Sequence, residues 1–316
     1  MNIPRFTFLL YPKGASLPLT DESKRRLIRA STYASVTTAS SLVALKLLAW
    51  LFSDSVAILA SLIDSGLDTV ASLITLIAVT HSLVPADSEH RFGHGKAEAI
   101  AALGQSAFIA GSALFLFFES GNRIMRPQLV EYGYLAITVM MISVVLTLAL
   151  VCFQNYVVAR TKSLAIGADS IHYKADLLVN GGIIASLIAT TQFELPIADP
   201  LIAILVAIYI MYSARKIGLK ALDALMDHEL LETDRKRIIT IVEAHPGVRG
   251  LHDLRTRMSG TQPFIQLHLE LPGEMNLDDA HIISDQVEAL VLDEFPGAEV
   301  IIHQDPEGVK EKTDDF

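Results

Sequence analysis

The chain alternates long apolar stretches with short polar connections over its first 220 residues. A helix that crosses a bilayer needs roughly 20 mostly apolar residues, because each residue rises about 1.5 Å and the hydrocarbon core is about 30 Å thick. Six stretches meet this requirement, at about 30–52, 56–83, 98–120, 132–158, 164–190 and 198–219. The pattern therefore predicts an α-helical membrane protein with six transmembrane helices.

Beyond residue 226 the long apolar stretches end and shorter elements follow. In one of them Ile265, Leu267, Leu269 and Leu271 recur with a period of two, which is typical of a half-buried strand. The pattern predicts a helix from an N-cap at Thr233 to about Ala244, strands at 249–257 and 263–271, a helix at Leu277–Phe295 and a strand at Ala298–His303. This order, αββαβ, predicts a small open α+β sandwich.

These patterns divide the chain into four parts. We expect an N-terminal cytoplasmic segment at 1–23, a transmembrane domain at 24–222, a cytoplasmic domain at 223–306 and a charged, disordered tail at 307–316. The orientation follows from the excess of basic residues on the cytoplasmic side of membrane proteins. With the N-terminus inside, eleven Lys and Arg residues flank the inner ends of the helices and two, Arg123 and Arg126, lie outside. Both ends of the chain are therefore expected in the cytoplasm.

Composition and charge agree with this division. The chain is 51% hydrophobic and 19% charged, with a mean hydropathy of +0.43, whereas soluble domains are about 25% charged. Residues 1–226 hold 15 acids and 17 bases, and residues 227–316 hold 20 acids and 8 bases. Because no basic face is available to neutralise phosphates, nucleic acid is excluded as a partner. A lone cysteine, Cys152, excludes a disulfide framework and a cysteine-based zinc site.

Acidic residues occur within two of the predicted membrane helices. Asp64 and Asp68 lie four residues apart on the second, and His172 and Asp176 lie four apart on the fifth, so each pair shares one helix face. An aspartate near the centre of a membrane helix costs about 2.5–3.5 kcal/mol on insertion scales. If the two helices face each other, the four side chains form a site for a divalent cation, and the imidazole favours zinc over magnesium or calcium. The alternatives are a structural polar network and a proton relay without metal.

The loop after the second helix also contains metal-ligating residue types. Asp87, His90 and His94 could form a three-ligand cytoplasmic site, which water or Glu89 would complete. The alternative is a set of solvated polar residues at the membrane surface.

The predicted cytoplasmic domain concentrates further ligand types. These are His252, His268, His281, His303 and Asp305. His303 and Asp305 share a strand face, and His268 lies on the polar side of its own strand. The apolar sides must pack on the two helices, so the polar face stays open to bind cations or a second copy of the chain.

Several of these segments, taken in order, resemble the cation diffusion facilitators, and more closely their bacterial branch of zinc and ferrous-iron efflux pumps. The resemblance runs from about residue 24 to 306. It rests on Asp64-x-x-x-Asp68, His172-x-x-x-Asp176, Phe92-Gly93-His94-Gly95-Lys96-Ala97-Glu98, His252-Asp253-Leu254-Arg255-Thr256-Arg257 and Val300-Ile301-Ile302-His303-Gln304-Asp305-Pro306.

The resemblance implies a homodimeric zinc/proton antiporter that exports metal from the cytoplasm across the bacterial inner membrane. It implies a transport site at Asp64, Asp68, His172 and Asp176, and a loop site at Asp87, His90 and His94. It also implies a metallochaperone-like cytoplasmic domain with a regulatory two-metal site at His252, His268, His281, His303 and Asp305, and a charge pair, Lys96 and Asp227, that joins the two domains. Zinc would be both substrate and regulatory ligand, and ferrous iron and cadmium remain open as substrates.

Two other classes of function use similar residues. A metal-gated cation channel would need the same ligands, but its flux would be indifferent to a pH gradient. A membrane zinc metalloenzyme would need an open coordination position and a general base, and four protein ligands with no additional base argue against it.

Overall fold

The computed structural model describes residues 21–53, 56–125, 134–193 and 198–308. Most of the predicted segment 1–23, and the tail beyond residue 308, lie outside this described part. Six long helices precede the cytoplasmic domain, as predicted. They are α1 (Asp21–Ser53), α2 (Val56–Ser82), α3 (Lys96–Met125), α4 (Tyr134–Thr161), α5 (Leu164–Phe193) and α6 (Ala198–Leu225).

Five of these helices are long and apolar enough to cross a membrane, judged over the described residues. The remaining helix, α5, is 30 residues long, which is enough to span a bilayer, but its first half carries Asp169, His172, Lys174 and Asp176. Two of the predicted transport residues, His172 and Asp176, therefore lie on the helix that falls short of a membrane span by composition, and the other two, Asp64 and Asp68, lie on α2.

The helices pack as a bundle whose outer surface is apolar. α3 lies along α6 and α1 along α2, while α5 contacts α6, α4 and α3. Large apolar side chains such as Phe52, Ile77, Phe115 and Phe118 point away from the bundle and are at least two-thirds exposed. Exposed apolar surface of this extent indicates contact with lipid.

The cytoplasmic domain has the predicted element order. It comprises α7 (Glu232–Glu243), β1 (Gly250–Ser259), β2 (Gln262–Leu271), α8 (Leu277–Glu294) and β3 (Glu299–Pro306). β2 is the central strand, antiparallel to β1 and parallel to β3. The predicted alternation is confirmed, because Ile265, Leu267, Leu269 and Leu271 are all buried against α7 and α8. The polar side of the sheet is left open.

Among the boundaries that differ from the sequence prediction, two in the cytoplasmic domain have a clear physical reason. The predicted N-cap at Thr233 is wrong: α7 begins at Glu232 after Leu231, without a side-chain capping hydrogen bond, and Glu232 and Asp234 in its first turn favour the helix dipole instead. β3 extends beyond His303 to Pro306, because its backbone remains paired with β2 as far as Leu271.

The two domains meet through the loop between α2 and α3. Lys96 Nζ lies 2.9 Å from Asp227 Oδ2, and Arg257 Nη1 lies 3.3 Å from Asp227 Oδ1. The Arg257 guanidinium also stacks over Phe264 at 4.3 Å and over Phe92 at 5.2 Å. The predicted pair Lys96 and Asp227 is thus in contact within a single chain, and Arg257 extends it into β1.

Candidate metal centres

Three of the four predicted transport residues meet between α2 and α5. His172 Nε2 lies 2.9 Å from Asp68 Oδ1 and 3.9 Å from Asp176 Oδ2. One ligand atom from each of Asp68, His172 and Asp176 lies within 4.8 Å of the others. Such spacing allows two carboxylates and an imidazole to converge on one cation after small side-chain movements.

Asp64 lies outside this group of three but lines the same cavity. It is one helical turn from Asp68, and it lines a cavity of about 780 Å³ that Asp68, His172, Asp176 and Asn180 also line. The structure therefore does not bring Asp64 within ligand distance of the other three.

The surrounding side chains fix the orientation of the His172 ring. The ring packs edge-on against Phe108 at 5.7 Å and lies 5.4 Å from the ring of Tyr173. The Tyr173 hydroxyl is in turn hydrogen-bonded to Ser72 on α2, at 2.8 Å between the oxygens. An imidazole held in this way presents Nε2 to the carboxylates, where it either shares a proton with them or, once deprotonated, offers a lone pair to a metal.

Sequence reasoning missed a cation beside this cavity. Lys46 on α1 donates through Nζ to the Ser65 hydroxyl at 2.6 Å and to the Ser61 carbonyl at 3.2 Å. Its ammonium interacts electrostatically with Asp64, Asp68 and Asp176. The sequence could have indicated this cation, because a lysine within an apolar membrane helix is costly and usually pairs with another polar group or has a functional role.

The predicted loop residues are also brought together. Asp87 Oδ1 lies 3.4 Å from His90 Nδ1, and Asp87 Oδ2 lies 3.4 Å from His94 Nε2. The backbone N–H groups of His90 and Glu89 donate to Asp87 Oδ1 at 2.6 and 2.9 Å. Chiefly through the hydrogen bond from His90, this arrangement lowers the pKa of Asp87 below its ordinary value, so the carboxylate is charged at neutral pH.

Four of the five predicted ligands of the cytoplasmic domain form a cluster on the open face of the sheet. Asp305 is at its centre, with Oδ2 at 2.8 Å from His268 Nδ1 and 3.5 Å from His252 Nε2, and Oδ1 at 3.2 Å from His303 Nε2. The strand register explains the cluster, because His268 on β2 is opposite both His252 on β1 and His303 on β3. Here a row of histidines crosses all three strands.

His281 is the predicted ligand that lies apart from this cluster. It is on α8, its side chain is 69% exposed, and its Nδ1 lies 3.7 Å from Asp285 Oδ1 on the next turn. α8 packs on the apolar side of the sheet, opposite the cluster. Within one chain, His281 therefore does not join the other four residues.

Two acidic residues of this cluster were missed at the sequence level. Glu270 Oε1 lies 2.9 Å from His252 Nδ1, and Asp253 Oδ2 lies 3.7 Å from His268 Nε2. Asp253 reaches this face because β1 has a bulge between His252 and Arg255, where Asp253 adopts a φ of +46°. Its hydrogen bond from Arg255 lowers the pKa of Asp253, which keeps the carboxylate charged. Period-two reasoning could not predict this placement.

Comparison with known proteins matches both halves of the chain to one family. Residues 32–226 match the cation efflux transmembrane domain, and residues 230–307 match the cation efflux protein cytoplasmic domain. The chain belongs to the cation efflux family. The family's transmembrane domain thus contains two groups of possible ligands. One is Asp68, His172 and Asp176, the Asp68 cluster, and the other is Asp87, His90 and His94, the loop cluster. Its cytoplasmic domain contains the histidine row.

Curated members of the cation efflux family are similar over nearly the whole chain. The cation-efflux pump FieF of Klebsiella pneumoniae subsp. pneumoniae is 48% identical over 289 residues, which cover 92% of this chain and 96% of that protein. FieF of Shewanella oneidensis is 48% identical over 286 residues, covering 90% of this chain and 96% of that protein. A solved structure, the zinc form of CzrB, is 30% identical and covers 27% of this chain and 99% of its own, with a TM-score of 0.26.

Proposed function

We propose that this chain exports divalent metal cations from the cytoplasm in exchange for protons, with zinc as the main substrate and ferrous iron and cadmium as further substrates. The observation that carries the proposal is the convergence of Asp68, His172 and Asp176 on a cavity inside the helix bundle. Charged ligands at membrane depth are costly unless a bound cation or proton offsets their charge. The likeness to the FieF pumps supports cation efflux as the direction of transport.

Proton exchange follows from the chemistry of the ligands. Metal binds the deprotonated forms of imidazole and carboxylate, so metal binding releases protons and protonation expels the metal. His172 Nε2, which faces both Asp68 and Asp176, is the atom that changes between these two roles. If the site opens to one side of the membrane at a time, this competition is sufficient for antiport.

In this mechanism Asp64 receives the metal as it leaves or enters the three-residue cluster. It lines the same cavity one turn from Asp68, and it would complete four-fold coordination when α2 and α5 shift relative to each other. α2 and α5 contact each other over only a short stretch, which allows such a shift without disrupting the α3–α6 packing.

The cytoplasmic domain would serve as the dimerisation and regulatory part of the protein. Metal bound at His252, His268, His303 and Asp305 would offset part of the excess of acidic residues in this domain, and would favour pairing of two domains in a homodimer. His281, exposed on α8, would then contribute from the second chain. We place the protein in the bacterial inner membrane, with both termini in the cytoplasm.

The test is zinc flux into proteoliposomes under three conditions: an outward proton gradient, an inward proton gradient, and no gradient. We expect uptake into acidic vesicles to exceed uptake into vesicles at equal pH, and the opposite gradient to slow uptake. Asp223→Ala, on the last turns of α6 and away from the cavity, provides a control with the same loss of charge. Zinc uptake that is equal under all three conditions but is lost in Asp68→Ala would indicate a metal-gated channel instead.

A further inference from the structure

A third histidine lies beside the loop cluster. His81, in the last turn of α2, has its ring centroid 4.5 Å from that of His94, with the two rings at 64°. The ring of His94 is also 4.5 Å from that of His90. The His94 ring is therefore flanked by two other imidazoles, those of His81 and His90, beside the Asp87 carboxylate.

His94 has a buried nitrogen that lacks a partner. Its side chain is 5% exposed, and Nε2 faces Asp87 Oδ2 at 3.4 Å. The other nitrogen, Nδ1, is buried and makes no hydrogen bond to any residue that the structure describes. An unpaired polar atom in such a position costs roughly 1–3 kcal/mol. The buried His94 ring has one nitrogen without a partner, a carboxylate at the other nitrogen and two more imidazoles packed against it, which indicates that a ligand belongs in this group.

We propose that His81 is the fourth protein ligand of a closed Asp-His₃ zinc-type site formed with Asp87, His90 and His94. This inference rests on the loop site implied by the proposed function and specifies its coordination. Glu89, the other residue within reach by sequence, contacts the group through its backbone N–H, which donates to Asp87, whereas the His81 ring packs directly against that of His94. The ligand atoms of Asp87, His90 and His94 lie within 4.8 Å of one another, and the exposed His81 side chain must rotate to join them.

Four protein ligands held together would make this a closed site, whereas the proposed transport site gains its fourth ligand, Asp64, only when α2 and α5 shift. Structural zinc sites are tetrahedral and closed, whereas sites that exchange their metal or activate water keep an open position. With His81 bound, the metal connects the last turn of α2 to the residues just before α3. Phe92 and Gly95 lie in the same loop and contact Phe264 and Ser259 of the cytoplasmic domain. The metal would thus hold the loop that joins the two domains.

The experiment uses the full-length protein with its other two clusters disabled by Asp68→Ala, Asp176→Ala, His268→Ala and Asp305→Ala. Cobalt(II) is the probe, because its absorption reports coordination number and it prefers the same donors as zinc. X-ray absorption at the metal edge counts the imidazoles. We expect tetrahedral absorption and three imidazoles in this background, and two imidazoles after His81→Ala.

Affinity gives a second readout. Since losing even an outer partner of a metal ligand costs about 10–100-fold in affinity, His81→Ala should weaken cobalt binding by roughly tenfold or more. Glu89→Gln tests the alternative ligand, and His245→Ala removes a histidine in the turn before β1, at the opposite end of that strand from the hairpin that meets the loop. Both variants should leave affinity and imidazole count unchanged. His81→Gln, which retains polarity and helix propensity, checks that any loss is not a folding defect.

The outcomes separate this inference from the proposed function. The assignment of His81 would be overturned if the parent protein, in which His81 is intact, showed two imidazoles at the metal and if His81→Ala left the affinity unchanged. That result would leave the loop site itself intact. Absence of cobalt binding in the parent background would overturn the loop site as well. Neither result would affect zinc flux through the Asp68 cluster, which is measured separately in the wild-type protein.

Discussion

His172 on α5 is in contact with Asp68 on α2, with 2.9 Å between Nε2 and Oδ1. The two helices otherwise touch over only a short stretch, so this pair is a principal link between them. Within the proposed metal site this distance is shorter than the 3.9 Å between His172 Nε2 and Asp176 Oδ2. A change in the occupancy of the site by metal or protons therefore acts directly on the contact between two helices.

Replacing His172 by aspartate should alter both metal selectivity and pH dependence. An all-carboxylate site is harder and lacks the borderline imidazole donor that favours zinc, so the zinc-to-manganese flux ratio should fall. The proton exchanged at the site would also move from an imidazole to a carboxyl group, which changes the pH profile of transport. Zinc and manganese flux measured against pH in wild type and His172→Asp checks both effects. Identical ratios and identical profiles would remove His172 as selector and proton carrier.

Lys46 should set how tightly the cavity holds metal. Its ammonium acts on the same carboxylates that receive the metal, so its positive charge opposes the binding of a second cation there. Lys46→Gln should therefore lower the zinc concentration for half-maximal flux and slow metal release, whereas Lys46→Arg should retain wild-type behaviour.

Lys174 provides a matched control for this prediction. It is an intramembrane lysine on α5 that donates to Asn155 on α4, at 2.6 Å, and does not line the cavity. Lys174→Gln removes the same charge at a similar depth. If Lys174→Gln changes half-maximal flux as much as Lys46→Gln, the effect comes from net charge and the proposed role of Lys46 fails.

Substitution of Gly95 should separate the two domains. A Cβ added at Gly95 would lie 2.5 Å from the backbone carbon and oxygen of Ser259, at the hairpin between β1 and β2. Backbone atoms at this distance must move, so Gly95→Ala should weaken the contact between the loop and the cytoplasmic domain. Gly104→Ala on α3 meets nothing within 4 Å and serves as the control. We expect a longer distance between spin labels on the two domains in Gly95→Ala only; equal distances would show that the contact is dispensable.

Zinc should stabilise the cytoplasmic domain through the histidine row. At a zinc concentration 100 times the dissociation constant, binding adds about 2.7 kcal/mol to the free energy of unfolding. A fragment of residues 227–316 should melt at a higher temperature with zinc, and His268→Ala should abolish the increase. The increase should also diminish as the pH is lowered, because protonated imidazoles do not bind metal. A zinc-dependent shift that survives His268→Ala would place the site elsewhere in the fragment.

Much of this architecture was predictable because it follows from periodicity. Membrane helices are recognised by length and hydropathy, and the pairs Asp64–Asp68 and His172–Asp176 share a face by their spacing of four. Spacing does not determine the level at which two helices approach each other. α5 meets α2 at Asp68 and leaves Asp64 one turn away, which depends on the packing of all six helices.

The remaining differences arise from local backbone geometry and from tertiary contacts. Asp253 joins the histidine row because a bulge in β1 interrupts its alternation. His81 lies in the last turn of α2, and its contact with His94 depends on how the following loop folds back. The α7 cap was wrong because the first turn relies on Glu232 and Asp234 and not on a capping hydroxyl.

The central claim is that Asp68, His172 and Asp176 exchange metal for protons. The most direct measurement records zinc entry and proton exit together in the same proteoliposomes, for wild type, Asp68→Ala, Asp176→Ala and the control Asp223→Ala. We predict that zinc and protons move in opposite directions at a fixed ratio in wild type and Asp223→Ala, and that both fluxes are lost in the other two variants while these remain folded dimers. Normal zinc flux in Asp68→Ala or Asp176→Ala, or zinc flux without proton movement in wild type, would contradict the claim.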